Sequence, residues 1–289
     1  MTLTKHIKPI LESVDGLKPM PSSVSKALKM IEEPEVTISE ISSIIAKDQA
    51  LTARILKFAN SAYYGFPHPA TTLNEAIARL GFRRIKNILF TLSYSSMLGR
   101  RIAGYNLGHG ELWQHSIAVA MTSQRISEQV AYSAPDEAYV AGLLHDIGKL
   151  LLDQYFKVDW THLLSIGQEN NLTLIEAEEN LLGINHAQTG GELARNWGLP
   201  TRLVDAIAYH HTPALATWPD LAAIVQVADI ICWRLNIGLT HPDFLPEPAE
   251  IALELLSLTL VDIDELTDIY SDMLNAALIT DNSLVSVTH

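Results

Sequence analysis

The chain has 289 residues, 48% of them hydrophobic and 18% charged, and its 20 basic and 33 acidic side chains leave a formal net charge of −13. That length buries a sizeable core and suits one large or two modest domains, and the composition excludes a disordered chain. A single cysteine, Cys232, excludes a disulfide framework or a cysteine-rich zinc module, and the acid excess argues against a general nucleic-acid binder that works by phosphate neutralisation.

The first residues, Met1 to Ile7, contain no apolar run of signal-peptide length. The most apolar stretches, residues 85–92 and 221–233, fall short of the roughly 20 residues that a membrane-spanning helix needs. The expectation is a cytoplasmic chain with no membrane partner.

Taken in chain order, the periodicity is helical almost throughout. Thr37-Ile-Ser-Glu40 is a capping box, followed by Ile38, Ile41, Ile44 and Ile45 on one helical face. Asp48 can cap a second helix with a stripe of Leu51, Ile55, Leu56 and Ala59, and Thr72-Leu-Asn-Glu75 repeats the capping-box signal before Ala76, Ile77 and Leu80. Gly81 interrupts, and residues 82–98 read as a long apolar helix. Gly65-Phe-Pro-His-Pro69 is a loop, because two prolines so close cannot sit in a helix interior. The glycines at 99, 104, 108 and 110 mark a boundary between an N-terminal lobe, residues 1–100, and a C-terminal lobe, residues 101–289. Three prolines at 242, 246 and 248 mark an irregular stretch over residues 241–249; helical pattern returns from Glu250 to about Leu278, and the tail from Asp281 is expected to fray. No stretch alternates with period two between hairpin turns, so the fold class is all-α, in two helical lobes.

Of the eleven histidines, only His6 and His68 fall in residues 1–100, so chemistry is expected in the C-terminal lobe. Its strongest local signal is Gly142-Leu-Leu-His-Asp-Ile-Gly-Lys149. Inside an apolar helix, His145 and Asp146 are costly unless paired or bound to something. Lys149, four residues after His145, lies on the same face, where its ammonium can meet an anion. A buried, hydrogen-bonded histidine beside a surface aspartate accounts for the pair alone equally well. His210-His211 closes the apolar stretch from Leu203 to Tyr209; a solvated helix end is the alternative reading. His115, His186 and Asp229 are three further polar residues planted on apolar helices, each open to a core or surface explanation on its own. Together these segments form a set of imidazoles and carboxylates that suits iron, manganese, nickel or zinc, and a bridging aspartate would allow two ions.

The order His115, His145-Asp146, His186, His210-His211, Asp229 resembles the ligand order of the HD superfamily of metal-dependent phosphohydrolases. Leu17-Lys-Pro-Met-Pro21, the block from Asp48 to Ser61, Ala76-Ile-Ala-Arg-Leu-Gly81, Trp197-Gly-Leu-Pro200 and His210-His-Thr-Pro213 resemble the HD-related output domain, HDOD, over roughly residues 10 to 235. The resemblance implies an HD-type helical C-terminal lobe, with one or two divalent transition-metal ions held by His115, His145, Asp146, His186, His210, His211 and Asp229. It also implies that Asp146 bridges the metals and that Lys149 points at substrate phosphate, with Arg195 a weaker candidate for that charge. Relatives that hydrolyse cyclic di-GMP carry Glu-Arg after the paired histidines and then Gly-Tyr-Pro; here Thr212-Pro213 follows at once, so that activity is not implied.

The resemblance implies a bacterial signal-transduction output module that relays a signal by binding a protein or small ligand. The alternative is an active metal-dependent phosphohydrolase acting on a nucleotide or other phosphoester. The strand-helix alternation of a receiver domain is missing, so a signalling partner is expected in trans. Tyr63, Tyr64 and Phe66 beside the proline loop read either as a partner surface or as core packing. A homo-oligomer is compatible with the sequence. A nucleic-acid partner has little support, since the basic run from Arg79 to Lys86 and the pair Arg100-Arg101 read as solvated helix faces.

Overall fold

A computed structural model describes residues 22–61, 64–238 and 247–285. The motif from Leu17 to Pro21, Tyr63, and most of the proline-bearing stretch, residues 239–246, lie outside the described residues. Those described form helices with no strand among them, and the sole extended pairing is an isolated antiparallel bridge between Ile102 and Leu107. The protein is all-α.

The described residues divide into two compact units, each described by itself: one of residues 22–97 and 271–285, the other of residues 98–270. The division expected at residue 100 puts 271–285 with the C-terminal lobe; the structure groups them with the N-terminal unit. One uninterrupted helix, α14 (Leu260–Val285), carries the chain from one unit into the other, and it continues through residues 281–285, where fraying was expected.

The N-terminal unit contains α1 (Ser22–Ile31), α2 (Ile38–Ile45), α3 (Gln49–Ala59) and α4 (Leu73–Leu98). Both arms of the Thr37–Glu40 capping box form. Thr72 Oγ1 accepts from the Glu75 amide at 3.2 Å, but the Glu75 carboxylate reaches one residue further back, to the Thr71 amide at 2.9 Å. Gly81 has φ 76°, a left-handed value that costs glycine little, and it splits α4 into segments 73–80 and 82–98. The basic run is satisfied locally: Arg79 pairs with Glu75, Lys86 reaches Glu32 at 2.7 Å, and the guanidinium of Arg84 lies 5.8 Å from the Tyr64 ring.

Asp48 closes the start of α3 by accepting from the Leu51 amide at 2.9 Å. Its replacement by alanine is expected to cost about 1 kcal/mol of stability, read as a lowered urea midpoint at unchanged slope. An unchanged midpoint would mean that the cap contributes nothing.

The C-terminal unit contains α5 (Glu111–Gln129), α6 (Pro135–Leu144), α7 (Gly148–Phe156), α8 (Trp160–Asn170), α9 (Leu174–Leu182), α10 (His186–Asn196), α11 (Thr201–Tyr209), α12 (Pro219–Arg234) and α13 (Glu250–Leu256), with the first part of α14. Every residue of α12 from Leu221 to Trp233 is buried, so it is the central helix of the unit; α5, α6, α11 and α13 pack around it. Burial on all sides explains why its hydrophobicity shows no one-sided stripe. Helix α10 packs against α7 and α11 through Gly190 and Gly191, where the backbones approach closely.

Candidate metal centre

Five elements of the C-terminal unit converge on one point. His115 comes from α5, His186 is the first residue of α10, His210 and His211 follow α11, and Asp229 comes from the middle of α12. His145 and Asp146 do not lie inside a helix as the apolar run suggests. They occupy the turn between α6 and α7, and the chain resumes its helix at Gly148. Both side chains reach one centre from this turn, although His145 itself keeps helical dihedrals.

All seven predicted residues meet there. Asp146 Oδ2 lies 3.4 Å from His145 Nε2 and 3.6 Å from His115 Nε2, while its Oδ1 lies 3.3 Å from His186 Nε2. Asp229 Oδ1 is 3.0 Å from His115 Nε2 and 3.6 Å from His145 Nε2. His186 and His211 bring their Nε2 atoms to 3.0 Å. His211 is the one member of the set that keeps partial exposure; the other six are buried.

The histidines are oriented from behind. Nδ1 of His115, His145 and His210 lies 2.8, 2.7 and 2.8 Å from the carbonyl oxygens of Ile237, Gly142 and Ile207. A carbonyl only accepts, so each Nδ1 carries a proton and Nε2 is the nitrogen that faces inward. His186 is held by Glu178, which is fully buried and accepts from the His186 amide at 2.7 Å and from its Nδ1 at 2.8 Å. Glu178 also accepts from the Tyr105 hydroxyl at 2.8 Å.

Sequence reasoning missed Glu178. Its signal was faint: it shares the buried face of α9 with Leu174 and Ala177, where an apolar residue is ordinary.

Lys149 is engaged within the cluster itself. Its Nζ lies 2.6 Å from Asp146 Oδ2, it is 5% exposed, and it sits about 6 Å from the rings of both Tyr105 and Trp233. The ammonium is engaged by a carboxylate three residues back. Arg195, at the far end of α10, is exposed and pairs with Glu192.

The electrostatics follow from this packing. Burial alone disfavours the Asp146 carboxylate, but Lys149 and His145 outweigh it and hold the group well below the usual range. Burial likewise lowers His145, yet the carboxylates of Asp146 and Asp229 lift it to about 10. Burial and its neighbouring imidazoles push His210 well down, and burial with His186 brings His211 to about 3. The cluster therefore contains ionised carboxylates and, at His210 and His211, neutral imidazoles, whereas His145 has to release a proton before it can ligate metal.

Four buried atoms fit the same chemistry. Nε2 of His115, His145 and His210 and Oδ1 of Asp229 have no hydrogen-bond partner; the His115–Asp229 approach is close but not aligned as a hydrogen bond. Orphaned polar atoms buried this deeply are costly unless something else satisfies them. Three overlapping groups, His186/His210/His211, His115/His145/Asp146 and His145/His210/Asp229, each bring their ligand atoms within 4.8 Å of one another.

An all-helical chain that gathers five histidines and two aspartates at one buried point has the architecture and residue set of an HD-type protein. More particularly, the chain belongs to the HDOD domain family, whose sequence model matches residues 17–213. A Geobacter sulfurreducens HDOD domain protein of unknown function is 26% identical, with 97% of each chain covered and a TM-score of 0.78. A Shewanella amazonensis SB2B protein named as a candidate phosphohydrolase shares the fold at 22% identity and a TM-score of 0.69, with 93% of this chain and 96% of that one covered. An uncharacterised protein of Treponema pallidum (strain Nichols) is 27% identical over 209 residues, 72% of this chain and 40% of its own length. The Bacillus subtilis (strain 168) protein YuxH matches over 31% of its length, so the chain spans less than half of the curated relatives it matches. No helix among the described residues is long and apolar enough to cross a membrane.

Proposed function

We propose that the chain is a signal-transduction output module whose C-terminal unit holds one or two divalent transition-metal ions and binds a phosphate-bearing ligand at them. The observation that carries this reading is the convergence of four buried, partnerless ligand atoms, from three histidines and Asp229, on one centre. His115, His145, Asp146, His186, His210, His211 and Asp229 would hold the metal. An ion held there supplies Lewis acidity and lowers the pKa of water in contact with it toward about 7. The protein's own part is positional. Backbone carbonyls and Glu178 fix the imidazole tautomers, Lys149 holds Asp146 ionised, and the surrounding helices exclude bulk water. The signalling partner, supplied in trans, would read the state of this unit.

Hydrolysis of a bound phosphoester is the second reading. A specific observation favours it: a cavity of about 140 Å³ opens beside His211 and Asp229, leaving room for water and a substrate at the centre.

Elemental mass spectrometry of the purified full chain tests the metal reading. One or two ions per chain are expected, and they are expected to be lost in the His145→Ala, Asp146→Ala double variant. No bound metal after reconstitution with iron, manganese, nickel and zinc would overturn it.

A further inference from the structure

The cavity beside His211 and Asp229 constrains what the centre can accept. Its walls are apolar on one side, with Leu174, Ile230 and Trp233, and its polar edge is formed by Thr173 and Gln226. Gln226 is not free to adapt. Its amide donates to the His211 carbonyl at 2.9 Å and accepts from the Ala249 amide at 3.0 Å. His211 is the partly exposed ligand, so the cavity is the side from which a ligand reaches the centre.

Two quantities limit that ligand. The first is size. About 140 Å³ is well under the roughly 300–1,000 Å³ of pockets that enclose drug-sized molecules, so a nucleoside triphosphate or a cyclic dinucleotide could enter only in part and would leave most of its surface outside. The second is charge. Among the described residues, no lysine or arginine lines the cavity, and Lys149 is held by Asp146 at 2.6 Å. At the rim, Glu247 adds a carboxylate, itself paired with Arg234 at 3.1 Å. Asp146, Asp229 and Glu178 set three carboxylates against the one ammonium of Lys149. One divalent ion therefore brings the formal balance of these groups to neutral, and a second leaves two positive charges. With two ions, the balance matches the charge of one phosphate dianion.

We infer that the ligand is a compact monophosphate: a single phosphate group at the metal centre, bearing a short apolar or planar substituent that packs on Trp233. This rests on the metal reading above and narrows it, since polyphosphates and dinucleotides fall outside the class.

Calorimetric titration of the metal-loaded full chain tests it, with metal content measured before and after. Inorganic phosphate, phenyl phosphate, pyrophosphate and a nucleoside triphosphate are the probes. Phenyl phosphate is expected to bind roughly tenfold tighter than inorganic phosphate, the scale of one aromatic contact with its buried area, and to quench tryptophan fluorescence. Pyrophosphate and the triphosphate are expected to bind more weakly than phenyl phosphate. In Trp233→Phe, which keeps an aromatic wall, phenyl phosphate is expected to retain its advantage over inorganic phosphate; in Trp233→Ala that advantage is expected to vanish. Tighter binding of the triphosphate, or of a cyclic dinucleotide, at unchanged metal content overturns the ligand class while leaving the metal centre intact. Absence of binding by every probe at full metal content overturns it too, and a failure to load metal overturns the reading beneath it.

Discussion

Replacing Gly148 by alanine is expected to destabilise the C-terminal unit by about 3–5 kcal/mol or to prevent its folding. A Cβ at this position would fall within the carbonyl oxygen of His186 and 2.7 Å from the Gly190 amide nitrogen. Both obstacles are backbone, so no side chain can swing aside. Relief requires α7 to move away from α10, and that movement separates Asp146 from His186. Gly108→Ala is the matched control, because there the nearest atoms belong to the flexible Glu111 side chain at 3.3 Å. Urea unfolding followed by tryptophan fluorescence should show a large fall in midpoint for the first variant and little change for the second. Equal midpoints would mean that the two helices do not meet as described.

Glu178→Ala is expected to have the second largest effect, about 3–5 kcal/mol, since it strands the His186 amide, the His186 ring and the Tyr105 hydroxyl in a buried site. Glu178→Gln separates stability from ligation. Its single amide oxygen still accepts from the His186 amide, and its NH2 can donate to Tyr105, so the variant should fold. The negative charge behind His186 is gone, however, and metal affinity is expected to fall by about ten- to a hundredfold, measured by competition with a chromogenic chelator. Wild-type affinity in the glutamine variant would show that Glu178 is a packing residue with no influence on the centre.

The helical fold and the seven converging residues were legible because each left a chemical mark against its background. Asp229 is the one charged residue in the run from Leu221 to Trp233, where Gln226 is the only other polar side chain among apolar ones, and His115 is likewise a polar residue on a buried helix. Thr37, Asp48 and Gly81 were legible for a different reason: caps and left-handed positions are decided by two or three neighbouring residues. What escaped depended on contacts distant in sequence. The break at His145–Asp146 is invisible to periodicity because the residues on both sides are apolar, and the close approach of Gly148 to His186 just after it is a contact distant in sequence. The pairing of Lys149 was not legible because helical spacing places both His145 and Asp146 within reach, and charge then selects the carboxylate. Glu178 sits in α9 between Glu176 and Glu179, and nothing local says that one of these three acids is fully buried. The grouping of residues 271–285 with the N-terminal unit likewise depends on packing that no local pattern encodes.

The hydroxyl of Tyr105 gives the centre a reach beyond its own ligands. Tyr105 stands in the short stretch between Met97, where the N-terminal unit ends, and α5, and its neighbour Gly104 donates to Asp153 at 2.7 Å with no space for a side chain. That stretch is thus tied down at adjacent residues, and the second tie ends on the carboxylate that orients His186. Such an arrangement obeys thermodynamic reciprocity: whatever fixes Tyr105 favours the ligating pose of His186, and occupancy at His186 stiffens the stretch around Tyr105 by an equal free energy. The opening stretch of the C-terminal unit is thereby also a gauge of the centre.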